Sequence, residues 1–244
     1  MSSRIYSCDV DGEYYSCCFN FINPFFFLVP HVYTSFEPLP VKRTIPYNYG
    51  TFFITFTCKD WLPLIKICEG YELVYNWFAV LKNQGHYING YVIMPNHIHV
   101  LITFAKSETS INNIIGNGKR FMAYQIVNRL EQMNKSALLK RLHDSVEEHK
   151  KKRNKLHDIW EVSFHWKHCS NDSIKYQKLN YIHNNPCSGK WKLAVIAEKY
   201  VHSSAGFYAT GKQGLFFVDN IESMKDIVLN PRTSPALRED IAGE

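Results

Sequence analysis

The sequence predicts an α+β fold of the ferredoxin-like type, in which a split βαβ unit forms an antiparallel central sheet and an additional helix follows at the C-terminal end. Three observations predict this fold. Four short segments have the composition or alternation of strands, two longer segments have apolar residues at helical spacing, and together they follow the order β-α-β-β-α-β. Both helices of such a unit cover one sheet face, which leaves the other face for a ligand or for the additional helix.

The first half of the unit begins with TFFITFTC, residues 51–58, whose Thr, Phe and Ile content favours a strand. Residues 69–83 have apolar side chains at helical spacing and predict the first helix. HYINGYVIM, residues 86–94, predicts the second strand. A Pro-Asn turn then leads back into an antiparallel third strand, HIHVLITF, at residues 97–104.

The second helix is predicted to start at a cap, Thr109 or Ser110, and to run to about Met133 with apolar residues on one face. The segment Ala137–His157 follows and carries seven Lys or Arg residues against three acidic ones, a local charge of +4. We interpret this segment as a solvated helix that is inserted into the unit.

The fourth strand is predicted at IWEVSFHWKH, residues 159–168, because apolar and polar side chains alternate there. NDSIKYQKLNYIHNNP, residues 171–186, predicts the additional helix. Asn171 or Asp172 would cap this helix, and Pro186 would end it.

The composition indicates a globular chain with a mild basic bias. It has 244 residues, 45% of them hydrophobic, and 28 Lys or Arg against 22 acidic residues, for a net charge of +6. This charge favours a polyanionic partner, although an ordinary basic protein accounts for it equally well. We divide the chain into an N-terminal appendage at 1–45, a catalytic domain at 46–210 and a C-terminal tail at 211–244.

The N-terminal appendage contains an apolar run, CCFNFINPFFFLVP, at residues 17–30. Asp9, Asp11 and Glu13 precede it with only Arg4 as a cation, which is not typical of a secretory signal. The run is also too short to span a bilayer, and Asn20, Asn23 and Pro24 interrupt it. An upstream start codon that adds non-native sequence is an alternative origin of the appendage. Seven cysteines, an odd number without a CxxC pair, predict reduced thiols and a cytoplasmic location. Since the apolar run is too short to span a bilayer, no membrane association is expected.

Two histidines in the third strand are the first candidates for chemistry. His97 and His99 alternate with apolar residues, so both side chains point to one sheet face with Cα atoms roughly 6.6 Å apart. Two imidazoles at that spacing can converge on one divalent metal, while Ile98 and Val100 pack under the helices. A single His-x-His pattern is also compatible with two structural histidines.

The additional helix offers a third ligand and a nucleophile. Asn185 lies four residues after Tyr181, so the two share one helix face. An amide oxygen suits Mg²⁺ or Mn²⁺, and imidazole ligands favour Mn²⁺. A tyrosine near the metal can attack a phosphodiester, although a phenol with an ordinary pKa near 10 needs activation. Tyr124, followed by Asn128 at the same spacing, is a rival, but its helix is expected to cover the opposite sheet face.

These segments together resemble the single-tyrosine HUH transposases, most closely the REP-associated branch. GYVIMPNHIHVLI at 90–102 carries the His-hydrophobe-His motif, LNYIHNNP at 179–186 carries the tyrosine helix, and KYVHSSA follows at 199–205. The resemblance extends from about Thr51 to Tyr208. The appendage before residue 46 and the charged segment 137–157 depart from the pattern.

The resemblance implies a ferredoxin-like fold and a tyrosine that forms a 5′-phosphotyrosine link to single-stranded or hairpin DNA. It implies that Mg²⁺ or Mn²⁺ is held by His97, His99 and Asn185, and that Tyr181 is the nucleophile. It does not distinguish a monomer from a homodimer in which Tyr181 acts in trans.

Basic residues of the two later helices and of the charged segment are candidates for phosphate contacts, and a solvated basic surface is the alternative for each. These residues are Lys119, Arg120, Lys150, Lys151, Lys152, Arg153, Lys175 and Lys178. Trp160, Trp166 and Tyr176 could stack on bases, although each also suits core packing.

Three other functions are compatible with parts of the pattern. A domesticated descendant would hold hairpin DNA without cutting it. A metal-dependent nuclease would use water, although the HxHxH pattern of nucleotide hydrolases is absent because position 101 is leucine. An RNA-binding ferredoxin-like module would carry aromatic residues where His97 and His99 stand.

Overall fold

The computed structural model describes residues 44–152, 154–162, 164–189 and 191–230. Nearly all of the predicted appendage, the candidate Arg153, and residues 231–244 of the predicted tail lie outside the described residues. No helix of the described part is long and apolar enough to cross a bilayer.

The elements follow the predicted order, with short helices added between them. The strands are β1 Gly50–Thr57, β2 Tyr87–Ile93, β3 His97–Phe104 and β4 His165–His168. The helices are α1 Leu64–Ile67, α2 Tyr71–Asn83, α3 Ile111–Gln132, α4 Ser136–Asp144, α5 Glu148–Lys151, α6 Asp172–Asn184 and α7 Ala205–Thr210. The described residues also contain 3-10 turns at Lys59–Trp61, Asn185–Cys187, Ala197–Lys199 and Ile221–Asp226.

The four strands form one antiparallel sheet in the order β2-β3-β1-β4. The units β1-α2-β2 and β3-α3-β4 interleave in this sheet, so the predicted split βαβ fold is confirmed. β3 lies between β1 and β2, and every one of its eight residues is buried. Its side chains therefore contact one layer on each sheet face.

The helix-covered face holds the larger core. Ile98 and Val100 of β3 pack there with apolar residues of α2 and α3, as their alternation predicts. α3 begins at the predicted cap, where the Ser110 hydroxyl accepts a hydrogen bond from the Asn113 amide at 3.3 Å. We name this side of the sheet the helix-layer face.

The opposite face, which we name the histidine face, is covered by α6. Leu179 and Ile182 of this helix pack on Val92 and Leu101 of the sheet. The helix lies so close to β2 that a Cβ atom added to Gly90 would come within 2.4 Å of Leu179 Cδ1. Glycine at this position therefore permits the close docking of α6.

The fourth strand is shorter than predicted. Only His165–His168 forms β4, while Trp160 makes an isolated bridge to Cys58 and buries its ring in the helix-layer core. The indole Nε1 donates to the Lys119 carbonyl at 2.9 Å, which ties this part of the chain to α3. Core packing of Trp160, rather than base stacking, is thus what the structure shows.

The charged segment forms two short helices instead of one solvated helix. α4 and α5 lie within it, and Leu142 and Val146 are buried, so one side of the segment packs against the domain. The sequence analysis did not predict the burial of Leu142 and Val146, because charged residues dominate this segment.

Residues 211–230, for which the sequence indicated no role, pack beside β2. The Asp219 carboxylate pairs with Lys82 Nζ at 2.8 Å and accepts from the Ile88 amide at 3.2 Å. Asn89 Nδ2 donates to the Asp219 carbonyl at 3.1 Å, and Val218 joins the core. The segment covers part of an edge strand, whereas the predicted division at residue 210 stays a prediction.

Candidate active site

The two histidines of β3 lie side by side on the histidine face. His97 and His99 are 7% and 6% exposed, and their ring centroids are 4.7 Å apart. Strand alternation places both rings on this face, as the sequence predicts. Two buried polar rings in contact need hydrogen-bond partners, because an unpaired buried polar group is costly.

Each ring is held through its Nδ1 atom. His97 Nδ1 lies 2.7 Å from Asn96 Oδ1, and His99 Nδ1 lies 2.6 Å from the hydroxyl of Thr55, its cross-strand partner in β1. Asn96 Nδ2 donates to the Trp61 carbonyl at 3.1 Å, which fixes the amide oxygen toward His97. Such partners orient an imidazole and leave its Nε2 atom for a ligand.

The C-terminal end of α6 brings Asn185 to both Nε2 atoms. Asn185 Oδ1 lies 3.3 Å from His97 Nε2, and Asn185 Nδ2 lies 3.2 Å from His99 Nε2. Asn185 follows the last residue of α6 and opens a 3-10 turn, in which Pro186 is buried. The structure thus brings together the three residues that the sequence suggests as metal ligands.

The donor atoms at this point fit a divalent cation. The Asn96 oxygen can only accept, so His97 Nδ1 carries the hydrogen of that contact, and Nε2 is the ring atom that a metal would bind. His97 Nε2 and the Asn185 oxygen lie 3.3 Å apart, close enough for both atoms to bind one cation. Within the described residues no cluster of three His, Cys, Asp or Glu side chains suits a metal, so an amide oxygen would have to complete the set.

The electrostatic surroundings keep His99 uncharged. Burial, above all, together with the neighbouring His97, Lys178 and His165, holds the pKa of His99 well below its usual range. A neutral imidazole is the form that binds metal. His99 therefore needs no deprotonation at neutral pH before it can act as a ligand.

Tyr181 lies one helical turn before Asn185, against the histidine pair. Its ring centroid is 5.1 Å from that of His99 and 5.8 Å from that of Phe53, and the side chain is 41% exposed. The residue is thus in contact with the candidate ligand His99 and accessible from solvent. Tyr124 lies on α3 in the helix layer and is 62% exposed, so it is not brought to the histidine face.

Among the predicted phosphate-binding residues, Lys178 is brought to the site. It lies on α6 three residues before Tyr181 and is 7% exposed. Its Nζ atom is 5.4 Å from the Phe53 ring centroid and 6.0 Å from that of Tyr181. A buried cation beside the candidate nucleophile can stabilise negative charge there.

The other candidate cations lie elsewhere or are paired with acids. Lys175 pairs with Asp172 at 3.1 Å in the first turn of α6. Lys119 and Arg120 lie on α3 in the helix layer, and burial lowers the pKa of Lys119 to about 8. Lys119 Nζ donates to the Glu161 carbonyl at 3.2 Å, which indicates a structural role.

The candidate lysines of the charged segment lie on or just after α5. Lys150 and Lys151 pair with Glu147 and Glu148 at 2.7 and 2.8 Å, and Lys152 follows the helix. These ion pairs neutralise part of the local positive charge. A role of this segment in DNA binding stays a prediction.

Three residues of the site were not found from the sequence. Thr55 and Asn96 hold the histidines, and Trp61 lies next to them with its ring centroid 5.8 Å from that of His97. The strand register would have indicated Thr55, and proximity in sequence would have indicated Asn96. Trp61 has no sequence signal, because its position depends on the turn after β1.

Comparisons with known proteins find only distant similarity. No family model matches the chain. An uncharacterized protein of Haemophilus influenzae is 25% identical over 160 residues, which are 57% of this chain and 83% of the relative. These figures do not establish a family for the chain.

Comparison with solved structures gives two matches of low similarity. One is a REP-associated tyrosine transposase bound to a REP hairpin, with a TM-score of 0.49 and 16% identity over 75% of this chain and 93% of that one. The other is a proposed transposase from Deinococcus radiodurans, with a TM-score of 0.34 and 14% identity over 59% of this chain and 96% of that one. Similarity at this level does not assign an activity to the chain.

Proposed function

We propose that this protein is a metal-dependent transposase of the single-tyrosine HUH type, which cleaves and rejoins single-stranded DNA in transposition or in the processing of REP hairpins. The observation that carries the proposal is the docking of α6 on the histidine face. This docking places the Asn185 amide between His97 Nε2 and His99 Nε2, with Tyr181 one turn away. The motifs of the sequence and this geometry support the same four residues.

The metal ligands in this proposal are Nε2 of His97, Nε2 of His99 and Oδ1 of Asn185. Mg²⁺ or Mn²⁺ bound to them would polarise the scissile phosphate. Thr55 and Asn96 hold the two rings in position, so the ligands are oriented before a substrate arrives.

Tyr181 is the proposed nucleophile. Its phenolic oxygen attacks the phosphorus, a bond forms between that oxygen and phosphorus, and the bond from phosphorus to the 3′-oxygen breaks. The phenol gives up its proton, and the departing 3′-oxygen takes one up, so the DNA is left with a free 3′-hydroxyl and a 5′-phosphotyrosine link. Attack of a 3′-hydroxyl on that link rejoins the strand without an added energy source.

Lys178 has a distinct part in this chemistry. Its buried ammonium group lies near the Tyr181 ring, so it is positioned to stabilise negative charge on the attacking oxygen and on the phosphate. Burial is the main cause that lowers the pKa of His99, and the charge of Lys178 adds to it, which favours the neutral form that binds metal. The partner is proposed to be single-stranded or hairpin DNA, bound by a monomer or by a homodimer that exchanges Tyr181 between chains.

The direct test is a cleavage reaction with end-labelled single-stranded hairpin DNA and Mn²⁺, resolved on a denaturing gel. The proposal expects a covalent protein–DNA adduct that is lost in Tyr181→Phe and kept in the control Tyr124→Phe. Cleavage without an adduct would instead identify a water-using nuclease. Binding without cleavage would identify a domesticated hairpin-binding protein.

A further inference from the structure

We propose that Trp61 is a base-stacking platform, which holds one unpaired nucleotide of the DNA next to the metal ligands. The inference rests on the proposed function and specifies its substrate, because an unpaired base offers a free face to an indole ring, whereas bases inside a duplex are covered on both faces by their neighbours. Trp61 belongs to the 3-10 turn that follows β1 and has no other part in the proposed chemistry.

The exposure of Trp61 is unusual for its position. The side chain is 55% exposed, although its ring centroid lies 5.8 Å from that of His97, which is buried. By comparison, Trp77 and Trp160 are 6% and 7% exposed and pack in the core. A large apolar ring beside a polar site, with half of its surface open to solvent, is suited to binding a flat aromatic ligand.

The backbone that presents Trp61 is strained. Asp60 and Trp61 are consecutive residues with φ of 52° and 55°, in the left-handed region that residues other than glycine rarely adopt. Strain of this kind persists only where surrounding contacts impose it, and it is frequent at functional sites. The ring is thus held outward at an energetic cost.

Three contacts impose this conformation. Asn96 Nδ2 donates to the Trp61 carbonyl at 3.1 Å, and the Asp60 amide donates to Glu161 Oε1 at 2.8 Å. Arg141 Nη2 pairs with Asp60 Oδ2 at 3.1 Å and so connects the turn to the charged segment. This exposed ion pair joins the charged segment to the Trp61 turn.

Asn96 couples the platform to the candidate metal site. The same amide group that holds the Trp61 carbonyl also holds His97 Nδ1, at 2.7 Å. A base stacked on Trp61 would therefore have a defined position relative to His97. Stacking uses the face of a base and not its hydrogen-bonding edges, so the platform is expected to accept any of the four bases.

The test is a double-mutant cycle, in which Trp61 is replaced in the protein, a base is removed from the DNA, and the affinity for DNA is measured for each combination. Tyr181→Phe is used as the background to prevent cleavage, with Mn²⁺ present and fluorescence anisotropy as the readout. Single-stranded hairpin substrates carry one abasic site each, moved stepwise through the unpaired region. One abasic position is expected to weaken binding about tenfold. Adding Trp61→Ala should weaken binding of the intact substrate to a similar degree and remove the effect of that abasic position.

Two further variants complete the design. Trp61→Phe should retain most of the dependence on the base, because a smaller ring still stacks. Phe121→Ala removes an equally exposed aromatic ring from α3 in the helix layer and should change nothing. If Trp61→Ala fails to fold, the abasic scan is repeated with Trp61→Phe. Stacking is supported if the loss of affinity at the same abasic position is smaller with Trp61→Phe than with Trp61, and it is contradicted if the two losses are equal.

The inference is overturned if no abasic position weakens binding, or if Trp61→Ala weakens binding equally with and without the base. Such a result would leave the proposed function intact, provided that the chain with Tyr181 still forms the covalent adduct. Loss of that adduct in the unaltered protein would instead contradict the proposed function itself.

Discussion

Replacement of Gly90 by alanine tests whether α6 must lie as close to β2 as it does. The added Cβ would come 2.4 Å from Leu179 Cδ1, whereas carbon atoms in contact are about 3.5–4.0 Å apart, so Leu179 must move by roughly 1.1–1.6 Å. Leu179 is buried against the sheet, so we expect part of this movement to shift α6. The same helix carries Tyr181 and presents Asn185.

The expected effect is greater on chemistry than on stability. Overpacking of this size costs about 1–3 kcal/mol of unfolding free energy. A misplacement of about 1 Å in reacting groups can slow a reaction roughly 100-fold, so the rate of adduct formation should fall by about that factor. The assay is the time course of the covalent adduct on a denaturing gel, with thermal unfolding measured on the same preparation.

Gly116→Ala is the matched control, because a Cβ atom at that position in α3 meets nothing within 4 Å. It should leave the adduct rate unchanged and slightly increase stability. If Gly90→Ala forms the adduct as fast as Gly116→Ala does, close docking of α6 is not required, and the explanation of the site by helix placement is refuted.

Three further predictions concern the surroundings of the site. Thr55→Val removes the hydroxyl that holds His99 and should weaken Mn²⁺ binding about 10–100-fold by calorimetry. Lys178→Met removes a buried charge, so it should slow adduct formation and raise the pKa of His99 in an NMR titration. Burial lowers the pKa of His183 to about 4, below its unfolded value of 6.5. The unfolded chain therefore binds the proton first, and roughly 3 kcal/mol of stability should be lost as pH falls from 6.5 to 4.

Each of these predictions has an opposing result. Unchanged Mn²⁺ affinity in Thr55→Val would mean that the hydroxyl does not orient the ligand. An unaltered adduct rate in Lys178→Met would remove that lysine from the mechanism. His183→Gln should unfold with a weaker dependence on pH than the unaltered protein, and an identical dependence would contradict the titration of His183.

The fold was predictable because local patterns determine it. Alternation in the third strand indicated which side chains of β3 share a face, and the structure confirms that Ile98 and Val100 lie in the helix layer. The spacing of Tyr181 and Asn185 indicated a shared helix face. The close contact between α6 and the sheet could not be predicted from these local patterns, because it depends on Gly90 and Leu179, which are far apart in sequence.

The remaining features depend on contacts between distant parts of the chain. The fourth strand is short because its ladder to β1 begins at His165, and Trp160 pairs with Cys58 only in an isolated bridge, an interruption that alternation alone does not reveal. Asp219 pairs with Lys82, which lies far away in the sequence. The packing of residues 211–230 could therefore not be predicted from their own local sequence. The conformation of Trp61 results from contacts to Asn96 and other residues beyond its turn, which explains why no motif indicated it.

The most direct test of the central claim is to identify the residue that carries the DNA. The adduct formed with Mn²⁺ would be digested with a protease and a nuclease, and the nucleotide-bearing peptide sequenced by mass spectrometry. The account predicts a nucleotide on Tyr181, and none in the double variant His97→Ala, His99→Ala. A nucleotide on Tyr124, or on Tyr181 at an undiminished level without the two histidines, would contradict it.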